Sequence, residues 1–456
     1  MNAPAKESGS MLLVALFLIL GVGAMVAAAV RMAGVDTLAT IEETQGGRAL
    51  FLAESGLENA KYRLKANQCV TTGLTLPLTG SLATGEDFSV NVTSLGSNQF
   101  QLNATGTAKT AQRTIQEVMN CTVSGLWDTG MVGCEGVVMG GDMETNSINS
   151  TTGGTNLYNG DVKTINPAAH ISLSGSVDLR GDALTTGAGS NLTVGGSSIV
   201  RGDASVTGTI TGSVVGAHNA GQAPTTTAAD CDPLNVVSLV SDSMSAYLTS
   251  KYGGTLPVAS SCTPASDATI SVATDYYCTS YDPNNNVDLI FTGPATGTRE
   301  FNIYITGGGN FTISNTTSLS LVSGANLTIY MAGGGTLNVT GQILIDSSSS
   351  VTVYSTGPVD IGAQGIMNSG TASQFRIYSS GSGTINLNGG ASAKSVTYAP
   401  LASITMNGNA DFTGAVRGRI VSKANGTADF YYDEALRNLN EGRRVTMSAV
   451  SWQENF

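Results

Sequence analysis

The residues in this chain best able to do chemistry are carboxylates that recur beside glycine. Gly-Asp occurs at Gly141-Asp142, Gly160-Asp161, Gly181-Asp182 and Gly202-Asp203, at intervals of 19, 21 and 21 residues. Carboxylates stacked by such a repeat repel one another. Asp161, Asp182 and Asp203 would therefore need a counter-charge. That is either a Ca2+ ion, which is bound through oxygen ligands, or the neighbouring Arg180 and Arg201. The same residues spell Arg-Gly-Asp twice, and the repeat favours one turn used twice over an integrin-type ligand.

The rest of the chemical inventory is thin. From residue 296 to 425 the acidic residues are Glu300, Asp346, Asp360 and Asp411, with Asp346 and Asp360 14 apart. Glycoside hydrolysis needs two carboxylates facing each other across a groove, and that spacing does not match the repeats around them. The two histidines, His170 and His218, lie outside this stretch, so it has no imidazole base. No Cys-x-x-Cys pair is present, which argues against zinc. An enzyme is not expected, and neither is a cofactor beyond the calcium ion considered above. Arg417, Arg419, Lys423, Arg437, Arg443 and Arg444 concentrate near the C-terminus. On one face they would make a stripe able to contact DNA or another anion.

The elements that must position these residues follow from composition. The chain has 456 residues, a net charge of -12, only 12% charged residues, 57 glycines and 41% hydrophobic residues. That is enough apolar residue for a core, and so much glycine suits many short strands and tight turns. The acidic balance argues against a chain-wide nucleic-acid surface. A second repeat follows the Gly-Asp array. Tyr304, Tyr330, Tyr354, Tyr378 and Tyr398 head units spaced 26, 24, 24 and 20 residues apart, most of them continuing through a Gly-bearing turn into an alternating strand. One unit cannot bury its apolar face alone, whereas stacked units share a continuous core. Residues 136-215 and 296-429 therefore read as two parts of a parallel β-helix, with a Tyr ladder at a corner. Residues 216-295, with a helix expected over Leu234 to Tyr252, read as an insertion packed on its side. Residues 430-456 read as an amphipathic C-terminal cap.

At the other end, Met11 to Val30 holds twenty uncharged residues closed by Arg31. That length matches the hydrocarbon thickness of a bilayer. Leu38, Ile41, Leu50, Ala53, Leu57, Ala60 and Leu64 then recur at helical spacing, with Gly46-Gly47 as a soft spot. Phe88 to Val92, Phe100 to Asn103 and Thr105 to Met119 read as three strands.

Residues 7-16, ESGSMLLVAL, and 45-58, QGGRALFLAESGLE, resemble the PilX-type minor pilins and related pilus assembly proteins. The helix-then-meander order resembles the pilin fold. The resemblance implies a leader over residues 1-9, cut between Gly9 and Ser10 by prepilin peptidase. It also implies a helix over 10-66 and a small β-sheet over 67-135. Shaft pilins carry Glu at the fifth mature position, where this chain has Val14, a departure similar to tip or initiating subunits. The implied partners are other pilin subunits, the pilus assembly machinery and the inner membrane, followed by display at the cell surface. An exported chain with six cysteines is compatible with disulfides. Cys69 is expected to pair with Cys121, and a second pair is expected among Cys231, Cys262 and Cys278. The fold class is thus mainly β, and the expected function is that of a structural subunit presenting the solenoid to a surface ligand. DNA binding for uptake and a surface carbohydrate-active enzyme are the alternatives.

Overall fold

In a computed structural model the described residues are 10-67, 69-96, 98-155, 157-223, 231, 233-253, 258-362, 365-389, 393-408, 411-423, 426-439 and 444-455. The chain divides into two compact units, one formed by residues 1-124 with 442-456 and the other by residues 125-441.

The first unit is a helix on a sheet. Helix α1 spans Ser10–Ala66, about 85 Å at 1.5 Å per residue. It runs without interruption through Gly46 and Gly47, so the expected soft spot is regular helix. Beside it, Thr37, Thr40 and Thr44 donate to the carbonyls of Ala33, Asp36 and Thr40, four residues back. The second half buries Ala49, Leu52, Ala53, Leu57, Ala60 and Leu64. These face an antiparallel sheet of Leu78–Ala83, Glu86–Gly96, Gln99–Ala108, Ala111–Ser124 and Arg444–Asn455, in that order. Val90, Leu102, Ala104, Ile115 and Met119 supply the sheet's side of the core. Gly106 sets the closeness of approach, since a β-carbon there would lie 2.1 Å from the carbonyl oxygen of Ala49. The single strand expected from Thr105 to Met119 is instead the turn of a hairpin. Ala108 pairs with Ala111 around Lys109, which adopts a positive φ of 54°.

The sheet's last strand is a correction to the sequence reading. Residues 444-455 do not cap the solenoid but lie antiparallel to Ala111–Ser124, with Ser124 opposite Arg444. The chain leaves this sheet at one residue and returns at its register partner, so the second unit is an insertion between two neighbouring strands.

The second unit is a solenoid-like stack of parallel strands. One row of register partners describes it. Tyr277, Tyr304, Tyr330, Tyr354, Tyr378, Tyr398, Arg417, Val132, Lys163, Leu184, Ser205 and Asn219 follow one another strand by strand. The step from Arg417 to Val132 joins the end of the chain's second arm to the start of its first. The chain therefore begins mid-stack, climbs to His218–Asn219 and crosses back. It re-enters at Ser260–Cys262 and climbs until Phe412–Lys423 docks on Met131–Met139.

The return runs through helix α2, Pro233–Tyr252. Its 20 residues span about 30 Å. The seven steps from Tyr277 to Val132 come to roughly 34 Å at the usual strand spacing. The helix is thus about as long as the stack it must descend. Val236, Val240, Met244 and Tyr247 form its buried stripe. Tyr247 stacks on Tyr304 at 6.0 Å and on Tyr330 at 4.7 Å. The Tyr ladder is consequently not at a corner. It occupies outward strand positions between buried residues such as Ile303 and Ile305, and α2 packs against it. Much of the expected insertion belongs to the stack itself. His218–Asn219 closes the first arm, and Ser260–Cys262, Ala268–Ile270, Asp275–Tyr281 and Asp288–Thr292 open the second.

Residues 430-439, expected as part of the cap, are a strand and a short turn of the stack. Phe430–Asp433 is a strand held between Phe412–Gly414 and Thr145–Ile148. Glu434–Asn438 is a short 3-10 turn whose N-cap, Asp433, accepts from the backbone N–H of Ala435 at 3.1 Å. The alternation of Phe430 and Tyr432, both buried, favours a strand over a helix here.

Candidate functional site

Two features are distinctive enough to carry function: the free half of α1 and the ladders of the stack. Along α1, Leu13, Val14, Phe17, Ile19, Leu20, Met25, Val30 and Met32 are all exposed. The helix is long and apolar enough to cross a membrane by length and composition. Exposed apolar residues on every side of one helix need a lipid or protein environment. Gly9 lies outside the described residues, and Ser10 opens the helix. The change of environment falls near Gln45, whose side chain accepts from the Thr110 hydroxyl at 3.0 Å. Deeper in, Lys61 joins Glu117, which is only 4% exposed, at 2.9 Å, and it also reaches Glu58 at 2.8 Å.

The Asp ladder has a definite geometry. Asp161 Oδ1 accepts from the backbone N–H of Asp182 at 2.9 Å, Asp182 Oδ1 from Asp203 at 2.8 Å, and Asp203 Oδ1 from Ala217 at 2.8 Å. Each carboxylate therefore caps the backbone of the next turn. The paired glycines let those turns close up: a β-carbon on Gly202 would sit 2.3 Å from Asp182 Oδ1 and 2.4 Å from the Gly181 carbonyl. Burial pushes the Asp161 carboxyl above its ordinary value, against the hydrogen bond from Asp182, which lowers it. Arg180 and Arg201 do not offset this ladder, contrary to the sequence reading. Arg180 pairs with Glu144 at 2.8 Å and Asp178 at 3.2 Å, and Arg201 pairs with Asp178 at 2.6 Å. Both are thus committed to acids on an adjoining face, which accounts for the Arg-Gly-Asp repeat as stack structure. Among the described residues, no group of three or more His, Cys, Asp or Glu is placed to hold a metal ion.

The basic stripe is dispersed. Arg417 is 1% exposed at the ladder position after Tyr398, and Lys423 is 5% exposed, donating to the Gly408 carbonyl at 3.3 Å. Arg419 pairs with Glu135 at 2.9 Å and donates to the Ser403 hydroxyl at 2.7 Å. Arg437 lies 5.4 Å over the Tyr432 ring. Arg443 lies outside the described residues. Burial withdraws Arg417 and Lys423 from any exposed anion-contact surface. Their sequence neighbourhood could not show this, because inward and outward positions alternate along a strand.

The carboxylates weighed for hydrolysis are spread along the stack. Glu300 accepts from Asn326 at 2.8 Å, and Asp411 accepts from the backbone N–H of Asp429 at 3.1 Å. Burial pushes Asp346 up, but hydrogen bonds from the Ser323 backbone N–H, the Ser349 side chain and Ser348 outweigh it and hold the carboxyl below its ordinary value. His170 Nδ1 accepts from the Asn191 backbone N–H at 3.0 Å.

Three disulfides are formed: Cys69–Cys121, Cys134–Cys231 and Cys262–Cys278. Cys134, for which no partner was expected, takes Cys231. No local spacing marks that pair, because its two residues are 97 apart.

Comparison with known proteins adds context. Residues 261–439 match a protein family described as a domain of unknown function (DUF7305). The comparison with curated proteins gives no match. Among solved structures, the crystal structure of the competence-associated pilin ComZ from Thermus thermophilus shares 12% identity. The alignment covers 90% of this chain and 98% of that chain, with a TM-score of 0.27. An ice binding protein from an Antarctic bacterium, Flavobacteriaceae, shares 11% identity over 67% of this chain and 97% of that chain, with a TM-score of 0.10.

Proposed function

We propose that this chain is a minor pilin-like structural subunit that anchors in the membrane through α1, passes into a filament, and displays the inserted solenoid at the cell surface. One observation carries the reading. A single continuous helix is apolar and exposed along its first half and buried against an antiparallel sheet along its second. Such a helix sits in lipid before assembly and packs among like helices afterwards. The signatures at residues 7-16 and 45-58 support the PilX-type assignment, with cleavage between Gly9 and Ser10. Val14 supports a tip or initiating position, because no carboxylate is present there to neutralise a neighbour's buried amine. Display suits the solenoid, which presents Thr312, Asn338, Asp360, Asn386, Thr405 and Ser422 as one in-register row of short polar side chains. The role proposed is adhesive or architectural and not catalytic. Mass spectrometry of the mature N-terminus in sheared surface filaments tests it. A peptide beginning at Ser10 is expected. A terminus at Met1, found only in the membrane fraction, would leave a membrane-anchored solenoid with no part in a filament.

A further inference from the structure

The solenoid is continuous in space but not along the chain, and its joint is held by strand pairing together with side-chain contacts such as Arg419 with Glu135 at 2.9 Å and Asp433 accepting from the Ser150 backbone N–H at 3.0 Å. Val416–Lys423 pairs with Met131–Met139, and Phe430–Asp433 pairs with Thr145–Ile148. A helix bridges the two arms as well. Helix α2 lies on the second arm, with Tyr247 stacked on Tyr304 and Tyr330, Tyr252 edge-on to Tyr277 at 5.7 Å, and Lys251 paired with Asp275. Just before its first turn, Cys231 is bonded to Cys134, which belongs to the opening strand of the first arm. The strap is thus fastened to one arm by a disulfide and lies on the other through an apolar stripe, crossing the level of the joint.

The three disulfides differ in exposure. Cys134 and Cys231 are both buried, packed with Val132 and Ile165. Cys69 and Cys262 are each part-exposed beside a buried partner. The fastening bond is the one that solvent reaches least.

We propose that Cys134–Cys231 is an oxidation-dependent lock on the joint between the two arms. Before it closes, α2 can leave its seat and the arms separate at Val416–Lys423. Once it closes, α2 staples them together, so the solenoid is completed only in an oxidising compartment. The step is thiol–disulfide exchange with an oxidoreductase of the dithiol–disulfide class. The thiolate of Cys134 or Cys231 attacks the partner's disulfide to form a mixed disulfide, and the second cysteine then displaces it. The two protein thiols lose two electrons and two protons to the S–S bond formed, and the partner leaves as a dithiol. Burial of both sulfurs then blocks attack by small thiols until α2 itself lifts.

Hydrogen exchange on the full oxidised chain tests the lock, comparing C134S/C231S with C262S/C278S. In C134S/C231S, exchange within 233-252, 131-139 and 412-423 should rise at least about tenfold, while 299-331 stays protected. C262S/C278S should leave those segments unchanged. If both variants protect them equally, the disulfide is a passive crosslink and the proposal fails. If C134S/C231S does not fold, the wild-type protein is titrated with dithiothreitol and alkylated at intervals. Cys69–Cys121 and Cys262–Cys278 should open before Cys134–Cys231, and opening of the last should coincide with loss of α2 protection. Its opening while α2 stays protected overturns the proposal.

Discussion

The two arms of the solenoid reach the same stacked geometry by different chemistry. Successive turns of the first arm advance by 21 residues, from Val162 to Ala183 to Ala204. In the second, Tyr304 to Tyr330 takes 26 and Tyr330 to Tyr354 takes 24, before the turns narrow to 20 and 19 at Tyr398 and Arg417 beside the joint. A shorter turn encloses a smaller cross-section. The first arm fills it with Val162, Ile171, Leu173, Val177, Leu179 and Leu192, whereas the second adds Phe291, Phe301, Phe311 and Phe375. The outer faces differ in the same sense. The first arm links its turns through carboxylates capping backbone amides. The second stacks rings, with Tyr277 on Tyr304 at 5.4 Å, Tyr330 on Tyr354 at 5.6 Å and Tyr354 on Tyr378 at 5.4 Å. Where the turn is longer the core takes larger side chains, and on the outer face carboxylate caps form the ladder of the first arm while aromatic stacks form that of the second.

The largest effect that would break this contrast comes from the second arm's core. Phe301 is fully buried and meets Phe291 edge-on at 5.1 Å. Phe301→Ala should cost ~3–5 kcal/mol, read as an earlier denaturation midpoint, with residues 299-331 losing exchange protection first. Next comes the close packing of the first arm. Gly202→Ala forces a methyl to within 2.4 Å of the Gly181 carbonyl, and should cost ~1–3 kcal/mol while opening residues 183-219 and sparing the Tyr rows. Smaller again is Asp182→Ala, which deletes the acceptor for the Asp203 backbone N–H at a cost of ~1 kcal/mol. Asp182→Asn keeps an oxygen in place and should be close to neutral in the same denaturation measurement. If Asn and Ala cost alike, the cap is not what holds these turns.

How far the sequence reveals this depends on whether the determining contact is periodic. Gly-Asp from residue 160 onward and Tyr recur because successive turns repeat one backbone conformation, so both ladders and the mainly β character can be read from spacing, whereas Gly141-Asp142 lies outside the ladder, with Asp142 in register with Ser176. The helix over Leu234 to Tyr252 is legible for a similar reason, since Val236, Val240, Met244 and Tyr247 fall on one face. The joint is not legible. Arg417 opposite Val132 is a pairing of residues far apart in the chain, with no repeat unit to announce it. The same reasoning explains Cys134–Cys231, the return of residues 444-455 to the first sheet, and the burial of Arg417 and Lys423, which their charge alone argues against. Tyr277 belongs to the Tyr row but precedes the recognised units, because α2 and the Cys262–Cys278 bridge interrupt the composition around it. Of the candidate site, the apolar helix was fully visible as twenty uncharged residues. The partners of Arg180 and Arg201 were not, because Asp178 and Glu144 meet them only after the turns stack.

The finest test of the contrast is the pH response of the polar ladder, where Asp161 is shifted upward while Asp346 of the aromatic arm is shifted downward. Asp161 is the most enclosed carboxylate of the three, and burial raises its pKa above the ordinary value of 3.8. The folded state therefore holds a proton on Asp161 more tightly than the unfolded chain does. Stability contributed by this group is complete below the unfolded pKa and falls as pH rises through the folded one, leaving the ionised carboxylate a net cost at neutral pH. Asp161→Asn keeps an oxygen able to accept the Asp182 backbone N–H and removes that cost. The variant should be slightly more stable than the parent at pH 7, and the difference should vanish at pH values below the ordinary carboxylate range. Thermal melts of the two proteins across that range decide the matter. An Asn variant that is less stable at pH 7 would mean that the charge itself strengthens the cap, and that the ladder gains more from ionic hydrogen bonds than it loses to burial.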